Sequence, residues 1–178
     1  KMLQFLVVCL AVTSCLAQQG RVMKGRVILF QSTAGQMPGV VVGTVDFTQE
    51  SNGVRLNGTI NGLPAGAHGF HVHEKGDLSN GCVAAGPHFN PSGMAHGAPN
   101  ASVRHHGDLG NIQAQAGTPT IINLSDRYLN LNGPHSILGR ALVVHEKADD
   151  LGLGTSEASK TTGDAGARIA CGVIGILG

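Results

Sequence analysis

Tryptophan is absent from this chain, and 178 residues hold only one tyrosine and five phenylalanines. A core without large aromatics has to be built from Val, Ile and Leu, which favours strands over helices. Aromatic platforms for base stacking are missing, as is any basic stretch, which argues against nucleic acid as a partner. Charge is nearly balanced, with 12 Lys and Arg against 11 Asp and Glu, and without Lys1 the two are equal. Long apolar runs are lacking too, except at the N-terminus. There Lys1 precedes the apolar segment Leu3 to Leu16, and Cys15-Leu16-Ala17 places small residues where a signal peptidase cuts. Residues 1–17 therefore read as a secretory signal peptide that leaves Gln18 first in a single domain of residues 18–178. A membrane anchor is the alternative, but the run falls short of the roughly 20 residues a spanning helix needs. No membrane span is expected in the mature form.

Cysteine is scarce as well. Cys9 and Cys15 lie in the leader, so Cys82 and Cys171 alone remain. In an oxidising compartment two cysteines most simply make one disulfide, the alternative being two unpaired buried thiols. Closing so long a loop would stabilise by roughly 4 to 5 kcal/mol in the chain-entropy model. Three glycosylation sequons, at Asn57, Asn100 and Asn123, suit the same secreted, extracellular location.

The remaining apolar segments are short and β-branched: 26–30, 40–47, 54–60, 69–73, 109–114, 120–124, 140–145 and 168–176. Turn signals such as Glu50-Ser51-Asn52-Gly53 and Leu63-Pro64-Ala65-Gly66 separate them. The pattern predicts an all-β fold, an eight-stranded antiparallel sandwich or barrel. Two stretches, 75–107 and 146–167, break the rhythm and are rich in Gly, Ser, Asn and Asp; loops this long inside a compact domain are usually functional or disordered. Gly152-Leu153-Gly154 lacks the ending a phosphate-binding loop requires.

Histidine is what the chain has in excess. Seven of nine fall between positions 68 and 106, with Asp108 just behind them and His145 further on. Neutral imidazoles with one carboxylate are the ligand set of a borderline-soft transition metal, which points to zinc, copper or both. His71 and His73, two apart in a strand-like run, leave the same face and can reach one metal, which His145 could complete from a neighbouring strand. His88, His96, His105 and Asp108 lie in or at the end of the first long loop and suit a tetrahedral zinc site. One imidazole could serve both metals by offering a nitrogen to each. His68, His106 and His135 read as isolated histidines outside these sets.

The strings His68-Gly69-Phe70-His71-Val72-His73-Glu74, Gly86-Pro87-His88-Phe89-Asn90-Pro91, His105-His106-Gly107-Asp108-Leu109-Gly110-Asn111, Val143 to Gly152 and Ala167 to Gly175 resemble copper/zinc superoxide dismutases, from about residue 23 to the C-terminus. The resemblance implies a Greek-key barrel with two functional loops. It implies copper on His71, His73, His88 and His145, and zinc on His88, His96, His105 and Asp108, one of each metal per chain. Asp149 would link histidines of the two sites, Arg168 would guide the superoxide anion, and Cys82 with Cys171 would form the intrasubunit disulfide. The implied reaction turns superoxide into dioxygen and hydrogen peroxide, with His88 as proton source. A catalytically idle copper-storing or matrix protein on the same fold is the alternative.

Two departures from the family pattern stand out. Lys75 occupies a position where an aromatic residue often joins Leu138, Gly139, Val173 and Ile176 in an apolar homodimer patch, so a weakened or rearranged homodimer is expected. Near the channel mouth, where an acidic pair and a lysine are common, the chain reads Glu157, Ala158 and Thr161, with Lys160 displaced by one position. Steering is then expected to rest on Arg168, Lys147 and Lys160.

Overall fold

The computed structural model describes residues 21–33, 35–36 and 39–178; the signal-peptide reading of residues 1–17 falls outside them. The strands are β1 (Lys24–Gln31), β2 (Val41–Glu50), β3 (Gly53–Ile60), β4 (Gly66–His73), β5 (Ser79–Cys82), β6 (Asp108–Ala114), β7 (Thr120–Asp126), β8 (Ala141–His145) and β9 (Arg168–Ile176). Among the described residues one short α-helix, α1, spans Glu157–Thr162, and a 3-10 turn spans Val83–Ala85. All strands but β5 join one antiparallel sheet in the order β6-β4-β8-β9-β1-β2-β3-β7. Its end strands β6 and β7 come together, so the sheet rolls into a nearly closed barrel. Around that barrel the β3–β4 and β7–β8 connections each pass over two strands, the Greek-key arrangement.

Period-two alternation fills the interior. Val27 and Leu29 from β1, Val45 and Phe47 from β2, Val54 and Leu56 from β3, Phe70 and Val72 from β4, and Leu142 and Val144 from β8 are all fully buried in one aliphatic core. The eight strands predicted from sequence are these eight. The two long loops contain, in addition, β5 and α1.

Strands β4 and β8 depart from the one-sided pattern, and this creates the site. Every residue of β8 is buried, as are the last six of β4. Phe70 pairs with Val144 and Val72 with Leu142 on the inner face, which leaves His71, His73, Val143 and His145 pointing out of the barrel. Both long loops fold over this outer face and bury it. A second, smaller apolar cluster of Cys82, Ala85, Ala141, Val143 and Cys171 sits under the first loop. There the Cys82–Cys171 disulfide ties the end of β5 to β9, with Cα atoms 5.7 Å apart.

Candidate metal centre

Hydrogen bonds fix which ring nitrogen each histidine turns inward. A carbonyl or carboxylate oxygen only accepts, so the imidazole nitrogen facing it carries the proton, and the other nitrogen is left with a lone pair. His71 donates from Nε2 to Asp149 Oδ2 (2.8 Å), His73 from Nδ1 to the Gly86 carbonyl (2.8 Å), and His145 from Nδ1 to the Gly166 carbonyl (3.2 Å). His71 Nδ1 and His88 Nε2 are then buried without any hydrogen-bond partner. His73 Nε2 and His145 Nε2 face each other at 3.3 Å, lone pair to lone pair. Four buried nitrogens from β4, β8 and the first loop lie within 4.8 Å of one another, an arrangement that is unfavourable unless a cation sits among them.

A second convergence adjoins the first. His96 donates from Nε2 to Asp149 Oδ1 (2.8 Å), which turns its Nδ1 towards Asp108 Oδ2 at 3.0 Å, an approach that makes no hydrogen bond. His88 Nδ1 and His105 Nδ1 both face Asp108 Oδ1, at 2.9 and 3.1 Å. The Asp108 carboxylate is itself steadied by the backbone N–H groups of Gly97 (3.1 Å) and His105 (2.8 Å). Three imidazole nitrogens and one carboxylate, all buried within 4.8 Å, make a donor set suited to tetrahedral zinc. The all-imidazole set beside it suits copper. His88 belongs to both, Nε2 to one and Nδ1 to the other.

Electrostatics prepare most of these groups as ligands. Burial, helped by neighbouring histidines, holds His71 and His73 far below the ordinary imidazole value, and burial also lowers His88. His145 is brought down to about 4, chiefly by burial. His96 goes the other way: burial would lower it, but the Asp108 carboxylate beside its Nδ1 and the Asp149 carboxylate that its Nε2 bonds prevail and raise it to about 9. Burial would raise Asp108, yet hydrogen bonds from His105 and His88, with His96 close beside, hold it well below the usual carboxylate range. Near neutral pH, His71, His73, His88 and His145 are neutral and Asp108 is ionised, as metal binding requires.

Asp149 spans the two sets, with one oxygen for each. Nothing larger than a hydrogen fits at Gly163 beside it: the residue sits at φ 67°, and a Cβ there would fall 1.9 Å from Asp149 Oδ1. The same residue ends α1 in the left-handed conformation. The second loop is also tied to the first directly, through the His96 N–H donated to the Lys160 carbonyl (3.0 Å).

Arg168 opens β9 opposite His145. Its Nη1 donates to the carbonyls of Cys82 (2.8 Å) and Val83 (3.2 Å), so the disulfide anchors both the arginine's strand and the carbonyls that orient it. It has no carboxylate partner among the described residues, and its charge helps to depress His73 and His145.

Other sequence candidates lie apart. His68 bonds to the His145 and Pro64 carbonyls, while His106 and His135 meet edge to face. The sequon residues Asn57, Asn100 and Asn123 are exposed, and Asn57 faces Asn123 across β3 and β7. Two polar contributors escaped the sequence reading. Asn111 bonds to the backbone of Asp149, and the buried Arg104 bonds to the carbonyls of Pro99 and His105.

A family model described as copper/zinc superoxide dismutase matches residues 41–174. The chain belongs to that family. It is 51% identical over 171 residues to the extracellular superoxide dismutase [Cu-Zn] of Caenorhabditis elegans, covering 96% of this chain and 77% of that one. To the extracellular superoxide dismutase [Cu-Zn] of Haemonchus contortus it is 56% identical over 156 residues, 88% of this chain and 85% of the relative. Among solved structures, the crystal structure of the clock protein EA4 superposes with a TM-score of 0.81 at 48% identity, covering 90% of this chain and 98% of that one. The matched stretch runs from β2 into β9, and so takes in all the histidines and carboxylates of both ligand sets of this copper/zinc superoxide dismutase family member.

Proposed function

We propose that this chain is an extracellular copper/zinc superoxide dismutase. The reading is carried by one observation: His88 is shared between an all-imidazole cluster and a three-imidazole, one-carboxylate cluster, and these leave His71 Nδ1, His88 Nε2 and His96 Nδ1 buried with no hydrogen-bond partner. His71, His73, His88 and His145 would hold copper; His88, His96, His105 and Asp108 would hold zinc. When bound, copper supplies the one-electron cycling that zinc lacks, so that two superoxide anions and two protons give dioxygen and hydrogen peroxide.

The chain's own residues do the rest. Arg168, beside His145 and with N–H groups to spare, draws in the small anion and holds it by charge-assisted hydrogen bonds. His88 would be the proton source for the peroxide product, its Nε2 taking up a proton when that nitrogen is not serving as a metal ligand. Asp149 fixes the orientation of His71 and His96 together, and the disulfide keeps Arg168 in place. A copper-storing or matrix role leaves the cation at this position without a use.

Residues 18–178 form the single domain of this reading. Secretion agrees with the disulfide and with the exposed sequons, Asn57, Asn100 and Asn123, as glycan acceptors. Superoxide is the substrate, and a homodimer loosened by Lys75 is the assembly. Among the described residues no helix is long and apolar enough to cross a membrane. The test is to reconstitute the purified chain with copper and zinc, count one of each, and measure catalytic loss of superoxide. His88→Ala should disturb both metals, whereas His145→Ala should chiefly affect copper. Zinc in both positions with no activity in copper-treated protein would overturn the reading.

A further inference from the structure

Two histidines remain outside both ligand sets, and they meet at the surface. His106 follows the ligand His105 in the first long loop, and His135 lies in the β7–β8 connection. Their ring centroids are 5.1 Å apart with the planes at 74°. That geometry matches pairs inside the interior clusters: His73 and His88 are 4.9 Å apart at 71°, and His88 and His96 are 5.3 Å apart at 69°. Rings at this separation are close enough for one nitrogen of each imidazole to reach a common ion. His135 is exposed and His106 half-buried, so the pair is open to solvent.

The surroundings hold the pair together. The His106 ring is packed edge-on against Phe89 (5.9 Å) and Tyr128 (5.5 Å), and its carbonyl accepts from Arg104 at 3.4 Å. A neighbouring cation, Arg104, is neutralised by Asp126 at 2.7 Å and does not repel a second positive charge at full strength. We propose that His106 and His135 form a third, surface site for a divalent transition metal, copper(II) in preference to zinc, with two imidazole nitrogens from the protein and water completing the coordination. The preference follows from the general order of affinities of nitrogen ligands, in which copper(II) exceeds zinc, and from the tolerance of copper(II) for two protein nitrogens with water in a tetragonal arrangement. Binding there pins the first loop to the β7–β8 connection, next to a zinc-set ligand.

The site is tested with the copper- and zinc-reconstituted chain titrated with copper(II) chloride in a non-coordinating buffer. Bound copper is counted by equilibrium dialysis, and the added copper is examined by electron paramagnetic resonance. Wild type should take up one copper beyond its interior complement, with a signal distinct from that of the interior copper. In His135→Ala, an exposed position where folding is not at stake, affinity for that copper should fall by at least about tenfold, with interior metal content unchanged. His106→Ala should do the same, and zinc(II) should fill the site only at higher concentration. The difference between wild type and His135→Ala isolates this site whatever the interior clusters hold, so its outcome is separate from that of the activity measurement. Equal extra copper in wild type and His135→Ala, or none in wild type, overturns the proposal.

Discussion

Asn111 and Asp149 exchange two hydrogen bonds across the barrel surface: Asn111 Nδ2 donates to the Asp149 carbonyl at 2.9 Å, and the Asp149 N–H donates to Asn111 Oδ1 at 2.7 Å. The side chain of a β6 residue thus fixes the backbone of the carboxylate that joins His71 of one set to His96 of the other. Outer partners of metal-bound histidines typically change metal affinity or activity 10- to 100-fold when removed. Asn111→Ala is therefore expected to weaken zinc retention by about tenfold through the loss of Asp149's hold on His96, and to shift the copper absorption band through His71. Asn111→Asp, which keeps the acceptor for the Asp149 N–H, should be milder. Zinc affinity by chelator competition checks both, and unchanged affinity in Asn111→Ala would show that Asp149 is held in place without it.

Arg104 gives a second prediction, about stability. Its guanidinium is buried, pairs with Asp126 at 2.7 Å, donates to the carbonyls of Pro99 (2.6 Å) and His105 (3.1 Å), and lies over the Tyr128 ring at 4.6 Å. Removing one partner of a buried pair strands the other charge, which costs about 3 to 5 kcal/mol. Arg104→Ala should lose about that much by denaturant unfolding and should also loosen the zinc set, because it frees the backbone of His105. Arg104→Met combined with Asp126→Leu should recover stability but not zinc affinity. A single variant as stable as wild type would mean that water reaches Asp126 and compensates it.

What the sequence made legible follows from what leaves a periodic or chemical mark. The eight barrel strands announce themselves as short β-branched apolar segments between turn signals, and in β1 and β2 buried residues such as Val27 and Leu29, or Val45 and Phe47, also alternate with more exposed neighbours. β5 escaped because Ser79–Cys82 is four residues without alternation. α1 escaped because among its six residues Ser159 alone is buried, so it has no apolar stripe to read. Its ends were readable: the Ser156 side chain accepts from the Ser159 N–H at 3.0 Å, and Gly163 closes the last turn. The candidate ligands stood out because histidine and aspartate declare their chemistry. Asn111, Arg104 and Gly163 did not, because their roles depend on backbone groups brought close by the fold, which residue type alone does not specify.

A third prediction concerns pH and the metal-free chain. An unfolded histidine titrates near about 6.5. The folded values of His71, His73 and His88 lie below this, and that of His145 is about 4. As pH falls below about 6.5 the unfolded chain takes up protons that the folded one refuses, so stability declines towards acid. His96, raised to about 9, acts oppositely: its stabilising contribution is complete below the unfolded value and is lost as pH rises through the folded one. Thermal midpoints of the chelated chain should peak near about pH 6.5, with the acid side steeper because four depressed histidines oppose one raised. With both metals bound the profile should flatten, since the ions replace the protons. A metal-free profile still rising from pH 7 to 9 would contradict the assignment of His96.

The fourth prediction is about assembly. Val173 and Ile176 on β9 are 38% and 68% exposed, and Ile28 on the neighbouring β1 is 45% exposed, an apolar surface of the kind that pairs subunits. Lys75 is held by its backbone N–H to the Ala85 carbonyl at 2.9 Å, and its methylene stem lies over Gly86. The ammonium can reach the rim of such a surface, but burying it unpaired would cost several kcal/mol. Sedimentation should find wild type dissociating at higher concentration than Lys75→Phe. Equal and tight association of the two would remove Lys75 as the weakening element.

Lys160 carries the last prediction, because it stands at a solvent-open cavity of about 450 Å³ lined also by His88, His105 and Thr161. Its ammonium donates to the Gly152 carbonyl at 2.6 Å, so the charge is held in place over the loop that covers the metal ligands. An exposed, fixed cation raises the local concentration of a small anion over a distance set by salt, about 8 Å at physiological ionic strength and about 3 Å at 1 M. Lys160→Ala should therefore slow superoxide consumption at low salt and approach wild type at high salt, while Lys160→Arg should keep the wild-type salt dependence. A deficit in Lys160→Ala that persists unchanged at high salt would instead assign the residue to loop structure, through the lost bond to Gly152. A rate indifferent to salt in wild type and variant alike would overturn the idea that these charges steer the anion.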